Sequence, residues 1–186
     1  MKKIIYLILF IISAISVSAQ NKIIFPGLSE IQLQKIVNTK IPVPLPTWIP
    51  DGFSVTNIIT QTGRHVKLEN KIFTITYSKK SSDGKLLEFK IEAGFEGIGD
   101  LPYEGGELIK SKAGNIYLFY EPFEEDMNGK KIKTSGLIMT EWFSVHNLAF
   151  DVVFSSPGQN ETINKTKPKI SKTDAKKILQ SMQVLK

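Results

Sequence analysis

From Lys71 to Ser156 one pattern governs the chain: short runs in which alternate residues are apolar, each closed by a turn signal. "KIFTITYSK" puts Phe73, Ile75 and Tyr77 on one side and Ile72, Thr74 and Thr76 on the other. "KLLEFKIEAGF" sets Leu87, Phe89 and Ile91 against Glu88, Lys90 and Glu92. Successive side chains of a strand point to opposite faces, so a period of two predicts half-buried strands. Asp83-Gly84 between the two runs tolerates the positive φ of a tight hairpin. A second hairpin is expected from "GGELIKSK" and "IYLFYEP" around Ala113-Gly114-Asn115. A third is expected from "TSGLIMTEWFSV" and "LAFDVVFSS" around His146-Asn147. Between them "EPFEEDMNGKK" reads as a polar loop with Asn128-Gly129 at its tip. No strand alternates with a long helix, which argues against parallel βαβ units.

The flanks complete the fold class. In "GLSEIQLQKIVNT", Ser29 and Gln32 have capping-box spacing, and a short helix is expected over Glu30–Val37. "IPVPLPTWIPDGF" (Ile41 to Phe53) carries proline on alternate residues, which suits an extended arm or a sheet edge. Pro50-Asp51-Gly52 then reads as a tight turn, with Trp48 and Phe53 packed against each other or under the sheet rim. At the far end "ISKTDAKKILQSMQVL" has a helix-start pair, Ser171 and Asp174, and an apolar stripe of Ala175, Ile178, Leu179 and Met182. The expectation is α+β: a two-layer domain of about six or seven antiparallel strands in a curved sheet. A C-terminal amphipathic helix lies on one face, and a short helix precedes the sheet.

The first residues read as an export signal. Lys2 and Lys3 precede an apolar run from Ile4 to Ile15, with Val17 and Ala19 at small-residue positions before a cut ahead of Gln20. That run is short of the roughly 20 apolar residues a membrane-spanning helix needs. The expected organisation is a signal peptide over 1–19, an N-terminal helix and linker over 20–41, and the sheet-plus-helix domain over 42–186. The 186-residue chain has no cysteine, which removes disulfides, zinc–thiolate sites and thiol nucleophiles. Stability must come from core burial, and a chain of this length has enough surface to bury. A periplasmic or secreted location follows, with no stable membrane insertion after signal cleavage.

The formal charge of +6 comes from 24 basic against 18 acidic residues. Arg64 is the one arginine, and the lysines are dispersed apart from a modest cluster over Lys165–Lys177. Nucleic-acid binders concentrate Arg and Lys with aromatics on one face, so nucleic acid is not an expected partner.

Three stretches carry a family resemblance: "PTWIPDGF", "TEWFSVHNLAFDVVF" and "ISKTDAKKILQSM". Pro46, Ile49, Pro50, Gly52 and Phe53, then Trp142 and Phe150, then Ser171, Lys172, Ser181 and Met182 occupy the matching positions. Together they resemble a family of bacterial extracytoplasmic domains of unknown function, found in regulators of sigma factors and in envelope sensors. The resemblance spans most of residues 42–185. It implies a sheet-plus-helix fold and supplies no catalytic residues.

Candidate chemistry is sparse. Ser144, His146 and Asp151 are close in sequence, but no Gly-x-Ser-x-Gly elbow accompanies them, and a turn histidine reads as exposed. Glu92, Glu96 and Asp100 accompany the glycines of "EAGFEGIGDLPYEGGE", where a metal or an acid–base pair for glycan cleavage is the alternative to a solvated loop. Glu121, Glu124, Glu125 and Asp126 lack EF-hand order. No cofactor, metal or catalytic set is expected. The reading is an exported, non-enzymatic binding or sensing module of the bacterial envelope, with an envelope protein or small ligand as partner. Its interaction surface is expected on the open sheet face or on the loops Gly94–Gly106 and Glu121–Lys131, with Tyr103, Glu104, Tyr120, Phe123 and Glu124 as the candidate residues. The alternatives are an envelope-polymer hydrolase using the loop carboxylates or His146, and a structural accessory protein.

Overall fold

The computed structural model describes residues 23–82, 84–96, 104–125, 128–133, 136–155 and 170–185. The expected signal segment, Asp83, Asp100, Tyr103, Asp126 and the polar stretch before Ile170 lie outside these residues. The described chain is mostly antiparallel β-sheet with two helices. In order, it runs α1 (Glu30–Asn38), β1 (Pro44–Pro46), β2 (Ser54–Gln61), a 3₁₀ turn (Leu68–Asn70), β3 (Ile72–Lys80) and β4 (Leu86–Gly94). There follow β5 (Glu107–Ser111), β6 (Gly114–Tyr120), β7 (Phe123–Glu125), β8 (Lys131–Lys133), β9 (Ile138–Thr140), β10 (Phe143–Val145) and β11 (Leu148–Ser155). The last elements are α2 (Lys172–Gln180) and β12 (Met182–Val184).

The main sheet has the order β2-β3-β4-β11-β9-β6-β5, with β10 also paired to β11. This makes eight strands where six or seven were expected, because the run before His146 is broken into β9 and β10. Two further pairs stand apart, β1 with β12 and β7 with β8, all antiparallel. The β7–β8 ribbon replaces the expected polar loop. The hairpin turn before β6 sits at Lys112–Ala113, one residue early, because Ser111 already pairs with Gly114. The third hairpin turns at His146-Asn147 as expected, and both residues take positive φ, 47° and 67°, as a two-residue hairpin with the right twist requires.

Period-two patterning sorts the residues as the sequence implied. Phe73, Ile75, Tyr77, Phe89, Ile91, Ile109, Ile116, Leu118, Phe150, Val152 and Phe154 are buried in one core. Tyr77 stacks on Phe89 with centroids 4.5 Å apart, and Phe53 and Phe154 tilt against the same ring. The poor alternation of "SVTNIITQ" has a cause: the register with β3 shifts between Val55 and Asn57. The bulge returns Ile58 to the core, while Ile59 stays exposed on the opposite face.

Helix α2 buries its apolar stripe in this core and α1 contributes Ile36, while Ile31 and Val37 of α1 stay exposed. Ser29 and Gln32 cap α1 reciprocally, and Ile36 is fully buried. On the same helix Gln32 Nε2 donates to Val55 O (2.9 Å) and Lys35 Nζ to Ile58 O (2.6 Å), so α1 occupies backbone carbonyls along the β2 edge. Ser171 caps α2, and Ala175, Ile178 and Leu179 are buried. Met182, expected on the same stripe, is buried from β12 instead. Glu107 on β5 pairs with Lys172 and Lys176, and these cations hold its carboxyl below the usual range.

The alternate prolines have a geometric reason. Along β1 the bonds to the β12 side use the non-proline positions: Leu185 N donates to Val43 O (2.9 Å), and Thr47 N donates to Ser181 O (3.1 Å). Pro44 and Pro46 fall where no N–H is called on. Ser181 Oγ also accepts from Trp48 N. Trp48 is not under the rim: it is 37% exposed, with Lys177 Nζ 5.4 Å from its ring centre. Phe53 takes the buried position, beside Phe89. Truncating Ile178 to Ala should lower unfolding free energy by about 2–5 kcal/mol in urea titration, as for other buried Ile/Leu sites. Thr173→Ala on the exposed side of the same helix should change it by less than about 0.5 kcal/mol.

Candidate functional site

The second face of the main sheet carries the site. Parity places Thr74, Thr76 and Ser78 of β3, Glu88, Lys90, Glu92 and Gly94 of β4, and Ala149, Asp151 and Val153 of β11 on this outer face. Its centre is Asp151, 3% exposed and directly opposite Glu92.

A bulge builds the surroundings of Asp151. Met139 pairs with Val153 and Phe143 with Phe150. Between those pairs, three residues (Thr140, Glu141, Trp142) face two (Val152, Asp151). The side chain of Thr140 turns into the core and accepts from Val152 N (2.9 Å). Glu141 and Trp142 therefore share the place opposite Asp151, and such an insertion re-aims side chains locally. Glu141 is exposed and donates its N–H to Tyr117 O (2.9 Å). Trp142 reaches the other way: a Cβ built on Gly94 would lie 3.0 Å from its Cζ3 and 3.2 Å from its Cη2. Gly94 is on β4, across β11 from Trp142, so the indole crosses β11 over Ala149 and Asp151. Neither described helix lies over this face, and the indole is the described side chain laid across β11 beside the buried carboxylate.

The electrostatics follow from burial. Asp151 Oδ1 has no hydrogen-bond partner. Loss of solvent, then the charge of Glu92, push its pKa up from an ordinary 3.8 to about 7, with its own backbone N–H opposing in part. The folded protein thus holds a proton there that the unfolded chain releases at lower pH.

One row crosses the sheet through this site. Leu108 pairs with Tyr117, Tyr117 accepts from Glu141, and Glu141 shares the place opposite Asp151. Asp151 pairs with Glu92, Glu92 with Thr74, and Thr74 with Ile59. Leu108, Tyr117 and Ile59 at its ends are exposed. The row is apolar at both ends and acidic in the middle.

The residues singled out from sequence fall elsewhere or apart. Glu92 lies on β4, not in a loop, and Glu96 is exposed beyond that strand. Ser144 is exposed beside Ala149, and His146 occupies the turn. Neither bonds to the Asp151 carboxylate, so no Ser–His–Asp relay forms. Glu104 is exposed and pairs with Lys131 of β8 (3.5 Å). Tyr120 is half-buried against the core, whereas Phe123 is 55% exposed on the β7–β8 ribbon, with Glu124 next along its backbone. Glu121, at φ 48°, accepts from Gly136 N and pairs with Lys133, which anchors the ribbon. The sequence signal for the central site was available in part: Asp151 is an acid inside an otherwise apolar strand. Its pairing with Glu92 depends on register.

No family model matches the chain, and no curated protein or solved structure matches it.

Two outcomes are expected. A carboxyl raised in the folded state gives stability that is present at acid pH and lost as pH rises from about 4 to about 7, because the native state binds the extra proton in that window. Asp151→Asn removes that loss, so denaturant unfolding should find the variant matching the parent near pH 4 and exceeding it at pH 8. Gly94→Ala forces the indole of Trp142 aside, and should cost about 1–3 kcal/mol and alter the near-ultraviolet circular dichroism.

Proposed function

We propose that this chain is an exported, non-enzymatic binding or sensing module of the bacterial cell envelope, and that it docks a partner protein on its outer sheet face. The observation that carries the reading is the row from Leu108 to Ile59: exposed apolar side chains flank an acidic centre on a face neither helix covers. Ile72 and Leu86 add exposed apolar surface on the same face. The seven-strand path is about 29 Å wide at ~4.8 Å per spacing, and its longest strands reach about 30 Å. That area is close to the roughly 800 Å² each partner buries in a standard protein interface. The fitting partner is a protein surface with a basic centre between apolar side chains. The curved two-layer arrangement expected from sequence belongs to the same reading, as does export itself.

A second reading, an envelope-polymer hydrolase, draws support from the pairing of a proton-holding acid with a neighbouring carboxylate. Burial of Asp151 under an indole weighs against it, since a substrate must reach the acid.

Capture from envelope extract tests the docking face. The parent chain and Phe123→Ala should retain the same protein, and Ile59→Glu with Tyr117→Ala should lose it, with circular dichroism unchanged. Equal capture by the outer-face double variant, or capture by neither parent nor Phe123→Ala, overturns the assignment.

A further inference from the structure

The geometry points to Asp151, facing Glu92 beneath the Trp142 indole, as a proton-binding site that sets the charge of the outer sheet face. Uptake of the proton rests on the site alone. Its consequence for a partner rests on the docking reading given above.

The first support is position. Asp151 is a carboxylate in the middle of a sheet, 3% exposed, with Oδ1 free of any bond and another carboxylate directly opposite. An isolated buried charge is expensive, and a side chain without a counter-ion avoids the cost by taking a proton. The charged groups around it do not relieve it. On β4, Glu92 faces it, while Lys90 sits opposite Val153, two places along, and Glu88 lies further out. On the other side, Glu141 shares the bulge opposite it. Thr74 and Thr76 of β3, Met139 of β9, Ser144 of β10 and Tyr117 and Phe119 of β6 bring no charge to the face. His146 is in the exposed turn at the end of the hairpin. Among the described residues, acids outnumber bases around the site.

The second support is the coupling element. Among the described residues, the side chain laid across β11 beside the carboxyl is the Trp142 indole, aimed by a bulge and seated on Gly94, so a charge appearing on Asp151 appears against that ring. Deprotonation adds a negative charge to a row that already holds Glu92 and Glu141, and draws a basic partner more strongly. Acidification removes it. Carboxyls raised by burial and by a like-charged neighbour serve as pH-responsive elements in this range.

Trp142 gives the readout. The chain has two tryptophans, and Trp48→Phe at an exposed position leaves Trp142 as the reporter. Its emission, followed from about pH 5 to 9, should change in one step with a midpoint at about 7. Adding Asp151→Asn should abolish the step, and adding Glu92→Gln should move its midpoint down. A flat profile in Trp48→Phe, or a step that survives Asp151→Asn, overturns the proton site. The coupling is read separately, by extract capture on either side of the step. Capture should weaken below it in the parent and not in Asp151→Asn. Capture that ignores pH while the emission step holds overturns the coupling and leaves both the proton site and the docking face standing.

Discussion

A sheet seven strands across has two faces, and among the described residues two nine-residue helices pack on it. Each is about 14 Å long at 1.5 Å per residue. Both add buried side chains to one core, and the closing β1–β12 ladder seals that side with Val43, Leu45 and Met182. On the outer face the described strands carry their own finish. Hydroxyls do part of this: Ser78 bonds Thr56 across the β2 bulge, and Thr76 and Ser78 are nearly buried. Phe119 is approached by Gly106, where a Cβ would come within 3.0 Å of the ring. Trp142 adds an indole laid across β11 against Gly94.

Two local irregularities thus organise the outer face. The β2 bulge keeps Ile58 in the core and leaves Ile59 exposed. The Glu141–Trp142 insertion supplies an exposed acid and an aromatic roof at one place. A regular strand would offer one residue opposite Asp151, either acid or indole. The exposed Glu141 and the indole of Trp142 at the place opposite Asp151 are therefore consequences of one extra residue in the strand before His146. The same extra residue splits that strand into β9 and β10.

Much of the architecture is legible from sequence because it rests on local chemistry. Ser29 with Gln32, Ser171 with Asp174, Gly52 after Pro50-Asp51, and the alternation of Phe73, Ile75 and Tyr77 each state their own geometry. Three things are not local. That Pro44–Pro46 would pair with Met182–Val184 requires the chain ends to meet, which no periodicity encodes. That Phe123–Glu125 would pair with Lys131–Lys133 is hidden by their polar composition. That Glu92 would face Asp151 is a matter of register between strands far apart in sequence, so Glu92 reads as a loop acid and Asp151 as a stray partner for His146. The expectation of a buried Trp48 fails for a different reason: the proline arm is anchored by backbone bonds to Ser181, and the indole is left to pack with Lys177 at the surface.

The central feature of the outer face is a buried carboxyl that holds a proton beside the Trp142 indole. The most direct measurement is the carbon-13 shift of the Asp151 carboxyl, followed by NMR against pH in the unmodified chain. It should titrate with a midpoint at about 7, well above the ordinary aspartate value of 3.8. A midpoint near that ordinary value would contradict it.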